Sequence, residues 1–131
     1  MKKYSCIDCF CGAGGLCLGL TQAGFDILYS FDIDPKAIET INQNPKYFKG
    51  HLAEVRDIKD IDSAQLLTSL HLKSGELDLL AGGPPCQGFS VQRRGADSDI
   101  RNQLVEEYIN KVIAIRPKLF VLENVFGIEE K

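Results

Sequence analysis

Leu77-Asp78-Leu79-Leu80-Ala81-Gly82-Gly83-Pro84-Pro85-Cys86-Gln87-Gly88-Phe89-Ser90 opens as a short apolar run and stops at a Gly-Gly-Pro-Pro turn. Such a run, bounded by breakers, reads as a buried strand, and the prolines stiffen the backbone beyond it. Cys86 then stands on the turn, where a side chain is presented rather than packed. In open α/β sheets ligands bind beyond the carboxyl ends of the strands, so a nucleophile belongs at this place. Lys118-Leu119-Phe120-Val121-Leu122 repeats the pattern and ends abruptly in Glu123-Asn124-Val125. A thiol and a carboxyl at the ends of two neighbouring strands form a nucleophile and acid pair.

Working outward, strands alternate with helices. Residues 4–10 read as a strand followed by a glycine-rich turn, and Leu16, Leu20 and Ala23 then share one helical face that Gly24 stops. Residues 27–31 form a second strand. Asp34-Pro35 is a cap with a first-turn proline, opening a helix through Ala37, Ile38 and Ile41 to about Asn44. Residues 45–54 read as loop, 55–58 as a short third strand, and Ser63 as the cap of a helix through Leu66, Leu67 and Leu70. Residues 77–81 give the fourth strand. Residues 87–101 lack periodicity and read as a loop. Leu104, Tyr108, Val112 and Ile115 make a helical stripe that Pro117 ends, and 119–122 close the series. The expected fold is α/β, with a mostly parallel sheet, right-handed crossovers and an end after the fifth strand.

The chain has 131 residues, enough for one domain with a core and not for two. A net charge of −3 lacks the basic footprint of a free-standing nucleic-acid binder. No apolar run approaches the ~20 residues of a membrane span, and Met1-Lys2-Lys3 leads into a strand rather than a signal sequence. A cytoplasmic, bacterial protein without a membrane partner is the expectation. Cys6, Cys9, Cys11, Cys17 and Cys86 are odd in number and carry no secretory context, which favours reduced thiols. Along a strand Cys9 and Cys11 share a face that Cys6 does not, so small core residues are expected rather than a metal cluster.

The first two strands offer a nucleoside site. Gly12-Ala13-Gly14-Gly15 lets backbone approach a ligand, and Asp32, about twenty residues on, suits the hydroxyls of a ribose. Any nucleoside cofactor fits these features, although the glycine spacing departs from Gly-x-Gly-x-x-Gly.

Three motifs in order, namely Asp8-Cys9-Phe10-Cys11-Gly12-Ala13-Gly14-Gly15, Pro84-Pro85-Cys86-Gln87 and Glu123-Asn124-Val125, resemble the cytosine-C5 DNA methyltransferases, over about residues 5–127. The resemblance implies the Rossmann-like fold of enzymes using S-adenosylmethionine (AdoMet), here as one incomplete domain. It places Phe10 near the adenine or amino-acid portion of AdoMet and Gly12, Gly14 and Gly15 along its methionine part. Asp32 then accepts from the ribose, Ile33 packs on the adenine, and Asp57 with Ile58 meets the adenine amino group. Gly83 and Leu104 complete the cofactor site. Cys86 attacks cytosine C6, Glu123 bonds to N3 and the amino group, Asn124 positions Glu123, and Pro85 fixes the turn. The loop 87–101 becomes a closing lid whose Gln87, Ser90, Arg93, Arg94 and Arg101 meet nucleic acid. The target cytosine has to be flipped from double-stranded DNA to reach such a crevice.

Cys9, Cys11 and Cys17 stand where the family commonly has Leu, Ala and Ser, each replacement small or apolar. The family's later Gln-x-Arg-x-Arg motif, its target-recognition region and its final cofactor motif have no counterpart here. The expected partner is thus a complementary C-terminal polypeptide carrying the target-recognition region, the chain being a fragment or one subunit of a split enzyme. Other readings are a tRNA cytosine-C5 methyltransferase, a non-catalytic AdoMet-binding or partner subunit, and a nicotinamide-dependent dehydrogenase.

Overall fold

The computed structural model describes residues 2–85 and 96–124, with side chains in the last helix from residue 102 onward. Alternating apolar strands and helices place β1 (Tyr4–Cys9), α1 (Gly15–Gln22), β2 (Phe25–Asp32), α2 (Pro35–Asn42) and β3 (Ala53–Val55) in the first half. A single 3₁₀ turn (Ile58–Asp60) leads to α3 (Ser63–Ser69), β4 (Leu79–Gly82), α4 (Ala96–Ile115) and β5 (Leu119–Leu122). The strands form one sheet of order β3-β2-β1-β4-β5, with every pairing parallel. The chain works outward from β1 to β3, then returns to β4 on the other side of β1. The crevice between the carboxyl ends of β1 and β4 is therefore the topological switch point, where α/β proteins bind ligands.

Side-chain alternation sends each strand to two cores. Cys6, Leu79 and Ala81 join Cys17, Ile38 and Ile41 on one face, while Ile7, Cys9 and Leu80 join Leu67, Tyr108 and Ile115 on the other. Burying each large aliphatic side chain contributes ~1.5–3 kcal/mol, so both faces are covered at substantial gain. Tyr108 is fully buried, and its hydroxyl lies 3.0 Å from the Leu80 carbonyl and 2.7 Å from that of Val121. That one side chain thereby ties α4 to the adjacent ends of β4 and β5.

Several boundaries differ from those read in the sequence. The third strand is Ala53–Val55 rather than 55–58. Asn42 exchanges two 3.0 Å hydrogen bonds with the Ala53 backbone and so creates a strand start inside a stretch read as loop. Asp57 then caps the 3₁₀ turn, which ends any extended run before Ile58. Asp62, not Ser63, caps α3 through the Gln65 amide at 2.9 Å. Helix α4 starts at Ala96, inside the segment expected to be loop. The sequence from Ala96 to Arg101 has no apolar period that would mark a helix. In α1 the buried residues are Cys17 and Thr21, small enough to bring the helix close to the sheet, while Ala23 is exposed. Cys9 and Cys11 lie in opposite cores, because Phe10 takes φ +59° and breaks the alternation.

Candidate cofactor and catalytic site

Beyond β1 the backbone leaves the sheet with Phe10 at φ +59°, Gly12 at +54° and Gly14 at +98°. A left-handed aromatic costs ~1–2 kcal/mol and persists where neighbours hold it. Here the Cys11 amide donates to Phe31 O at 3.0 Å, which fixes the exit of β1 against β2. At the end of β2, Asp32 accepts from the Gly12 amide through Oδ2 and from the Asp34 amide through Oδ1, both at 2.9 Å. A carboxylate has about four acceptor sites, so two remain for the hydroxyls of a ligand. Asp32 is thus the clamp on the glycine turn and a candidate docking group beside it.

These elements frame a cavity of about 340 Å³ at the switch point, lined by Phe10, Asp32, Ile33, Asp57, Ile58, Gly83, Pro85 and Leu104 together with Phe31, Asp34 and Arg56. Eight residues singled out in the sequence thus meet around one space. Ile33 is 67 % exposed, so it is available as an apolar platform rather than spent in the core. Ile58 serves the core and the cavity wall at once. The volume falls in the usual range for small-molecule sites, and a carboxylate-bearing polar wall opposite apolar surface suits a nucleoside.

Gly12, Gly14 and Gly15 do not line this space. Gly12 bonds to Asp32, and Gly15 begins α1. At Gly14 an added Cβ would come within 2.7 Å of the Phe48 ring and 2.9 Å of Ile41, so core packing demands this glycine. Three lining residues escaped the sequence reading. Asp34 was read for its cap, which it makes with the Lys36 amide at 2.9 Å, and Phe31 for its strand. The signal for Arg56 was its position beside Asp57.

On the β4–β5 side, Glu123 follows β5, and its amide donates to Gly82 O at 2.8 Å. Its carboxyl lies directly over the next glycine: a Cβ on Gly83 would sit 2.7 Å from Glu123 Oε2. Gly83 therefore leaves room for the acid beside it; Gly83 and Pro85 line the cavity and Glu123 does not. Asn124 continues from Glu123. Cys86, Gln87, Ser90, Arg93 and Arg94, and the side chain of Arg101, lie outside the described residues.

The other cysteines are chemically quiet. Burial, then the nearby Asp8 charge, pushes the Cys6 and Cys11 thiols up to about 12. Burial raises Cys9 and Cys17 as well. A thiol so raised stays protonated and unreactive at neutral pH. Asp8 itself is fully buried, accepts the Cys17 thiol at 3.0 Å, and leaves Oδ1 unpartnered among the described residues. Burial raises its carboxyl to about 7, against the opposing effect of the Cys17 bond. No helix among the described residues is long and apolar enough to cross a membrane.

Comparison with known proteins agrees with this geometry. Residues 4–131 match the family model of C-5 cytosine-specific DNA methylases. The type II methyltransferase M.AgeI of Thalassovita gelatinovora is 41 % identical over 122 residues, which are 93 % of this chain and 28 % of that protein. M.AquIA of a Picosynechococcus strain is 37 % identical over 126 residues, 92 % of this chain and 48 % of that protein. The chain thus spans about a quarter to a half of the length of these relatives. Among solved structures, a protein described as a DNA modification methyltransferase encoded within an E. coli prophage superposes with a TM-score of 0.78 at 36 % identity, covering 96 % of this chain and 33 % of that one. Dnmt2 of S. pombe gives 0.71 at 28 % identity, over 99 % and 37 % respectively.

Proposed function

The chain belongs to the C-5 cytosine-specific DNA methylases, and from that premise we propose that it supplies the AdoMet-binding and catalytic part of an enzyme that methylates C5 of cytosine in DNA. The observation that carries this reading is the convergence of Phe10, Asp32, Ile33, Asp57, Ile58, Gly83, Pro85 and Leu104 on one cavity at the switch point. Asp32 accepts the ribose hydroxyls, Ile33 packs on the adenine, Phe10 lies near the adenine or the amino-acid portion, and Asp57 accepts from the adenine amino group. Gly12, Gly14 and Gly15 shape the turn beside the methionine part. When bound, AdoMet supplies an electrophilic sulfonium methyl.

Cytosine C5 is a poor nucleophile, so the protein has to activate it. The Cys86 thiolate forms a bond to C6, which removes the 5,6 double bond and turns C5 into an enamine-like carbon able to accept a methyl group. Glu123 hydrogen-bonds to N3 and the amino group and draws charge away as the adduct forms. Loss of the C5 proton then restores the double bond and expels Cys86. The burial that keeps four thiols protonated supports Cys86 as the reactive one. Asn124 orients Glu123 and Pro85 holds the turn. Gln87, Ser90, Arg93, Arg94 and Arg101 engage the nucleic acid. The base reaches this crevice only after flipping from the duplex.

The net charge of −3 supports a division of labour in which a complementary C-terminal polypeptide reads the DNA. Gly88 after Pro-Pro-Cys-Gln and the type II names of the relatives favour DNA over tRNA. The test is to titrate the chain with AdoMet and NAD, then assay methyl transfer to DNA and tRNA with and without candidate downstream polypeptides. AdoMet binding alone, with DNA methylation only in the mixture, is expected. Preference for NAD would overturn the cofactor assignment, and site-defined methylation by the chain alone would overturn the division of labour.

A further inference from the structure

One wall of the cofactor cavity carries a cation that the proposed chemistry leaves idle. Arg56 directly follows β3, and its amide donates to Asp32 O at 3.0 Å. Arg56 lines the cofactor cavity and also a neighbouring cavity of about 270 Å³ whose walls include Tyr29 and Glu54. Arg56 is thus the partition between two spaces. Its guanidinium reaches across the 3₁₀ turn, where Nη2 donates to Asp60 O at 3.2 Å. Nη1 lies 3.8 Å from Glu54 Oε2, the oxygen that accepts from the Tyr29 hydroxyl at 2.8 Å.

The turn held in this way is the one that presents Asp57. Asp57 Oδ1 accepts from the Lys59 amide at 3.0 Å, and Asp57 O accepts from the Asp60 amide at 3.0 Å. The carboxylate therefore goes wherever the turn goes. A three-residue 3₁₀ turn has strained hydrogen bonds and leaves its last carbonyls without partners inside the turn. Arg56 supplies a partner to one of them, Asp60 O. A fork-shaped donor anchored at Glu54 on one side and Asp60 on the other is stiffer than an isolated lysine would be.

We infer that Arg56 is a positioning residue: by holding Asp60 O it fixes the turn that aims Asp57 at the exocyclic amine of the cofactor's adenine, and so sets selectivity for that amine. This rests on the AdoMet reading of the cavity. Truncating Arg56 keeps the other lining residues and the Asp57 side chain itself, and removes the hold on Asp60 O that fixes the turn.

The test measures, by calorimetry on the unaltered chain, the affinity for AdoMet and for an otherwise identical analogue whose purine lacks the 6-amino group. The wild type is expected to favour AdoMet roughly tenfold, the scale of one good hydrogen bond to a charged acceptor. In Arg56→Ala that ratio falls close to one, with AdoMet weakened about tenfold and the analogue nearly unchanged. Arg56→Lys, which keeps a donor within reach of Asp60 O, retains most of the ratio. Asp57→Ala loses the ratio equally, and the Arg56→Ala/Asp57→Ala double variant loses little more, as coupled residues do. Where the alanine variant does not fold, Arg56→Met keeps the stem without the donors and reads the same quantity. Equal weakening of both ligands, with the ratio intact, assigns Arg56 a purely structural role and overturns the inference alone. Failure of the wild type to bind either ligand overturns the AdoMet reading and this inference with it.

Discussion

The tasks proposed for Asp32, Glu123 and Cys86 are separable, and single substitutions divide them. Asp32→Ala removes both the ribose acceptor and the clamp on the Gly12 amide, so AdoMet affinity is expected to fall by one to two orders of magnitude, roughly the effect of two lost charge-assisted bonds. Cys86→Ala in the reconstituted enzyme should abolish transfer and leave that affinity nearly unchanged. Calorimetry and methyl-transfer assays on the two variants check the contrast, and loss of AdoMet binding in Cys86→Ala would make the thiol structural. Gly83→Ala is the subtler probe. The new methyl group crowds the far end of the flexible Glu123 side chain at 2.7 Å and makes ordinary contacts with Glu123 O and Cβ at 3.6 and 3.7 Å, so the fold accommodates it by moving the carboxyl. Transfer should drop on the order of a hundredfold, as displacements of about 1 Å in a catalytic group do, with the melting temperature almost unaltered. Unchanged turnover would remove Glu123 from its assigned place.

Among the elements, β4, β5 and α4 are held together by Tyr108, and that contact keeps Gly83 and Glu123 side by side. Tyr108→Phe deletes the hydroxyl that bonds to Leu80 O and Val121 O and is expected to cost about 1–2 kcal/mol in denaturant unfolding. A variant as stable as the parent would show that backbone pairing alone holds the two strands. The four longer strands were readable from the sequence because each is a continuous or alternating apolar run between breakers. β3 was misplaced because it is only three residues long and depends on the side chain of Asn42, a contact that no local pattern reveals. The start of α4 was missed because its first turn carries charge rather than an apolar stripe. At the site the legible residues were those fixed by motif position, from Phe10 to Leu104. Arg56 stayed hidden because its role depends on a carbonyl four residues on, and the need for Gly14 because its partner Phe48 lies in a polar stretch.

Two buried or bonded carboxyls give the whole molecule a recognisable pH profile. The Lys118 ammonium, 2.6 Å from Asp78 Oδ1, and the Ser5 amide hold the Asp78 carboxyl down at about 2, from an ordinary 3.8. Asp78 therefore contributes stability that is present above pH ~4 and is lost as pH falls toward 2. Burial of Asp8 works in the opposite sense, lifting its carboxyl from 3.8 to about 7. Between those values the folded chain holds a proton that the unfolded chain has released, so stability declines as pH rises from about 4 to 7. Thermal unfolding from pH 3 to 8 should show both slopes. Asp8→Asn should flatten the upper one and Asp78→Asn the lower, and a profile unchanged by Asp8→Asn would mean that its carboxyl is ionised in the fold.

The covalent chemistry is tested most directly by trapping on duplex DNA in which the target cytosine carries fluorine at C5. The chain is mixed with a candidate C-terminal polypeptide and AdoMet, and the denatured mixture is mapped by mass spectrometry. Fluorine cannot leave as a proton does, so elimination should stall with the methylated base bonded to Cys86, and the adduct should require AdoMet. An adduct that survives in Cys86→Ala, or none at all in a mixture that methylates ordinary cytosine, would contradict the assignment.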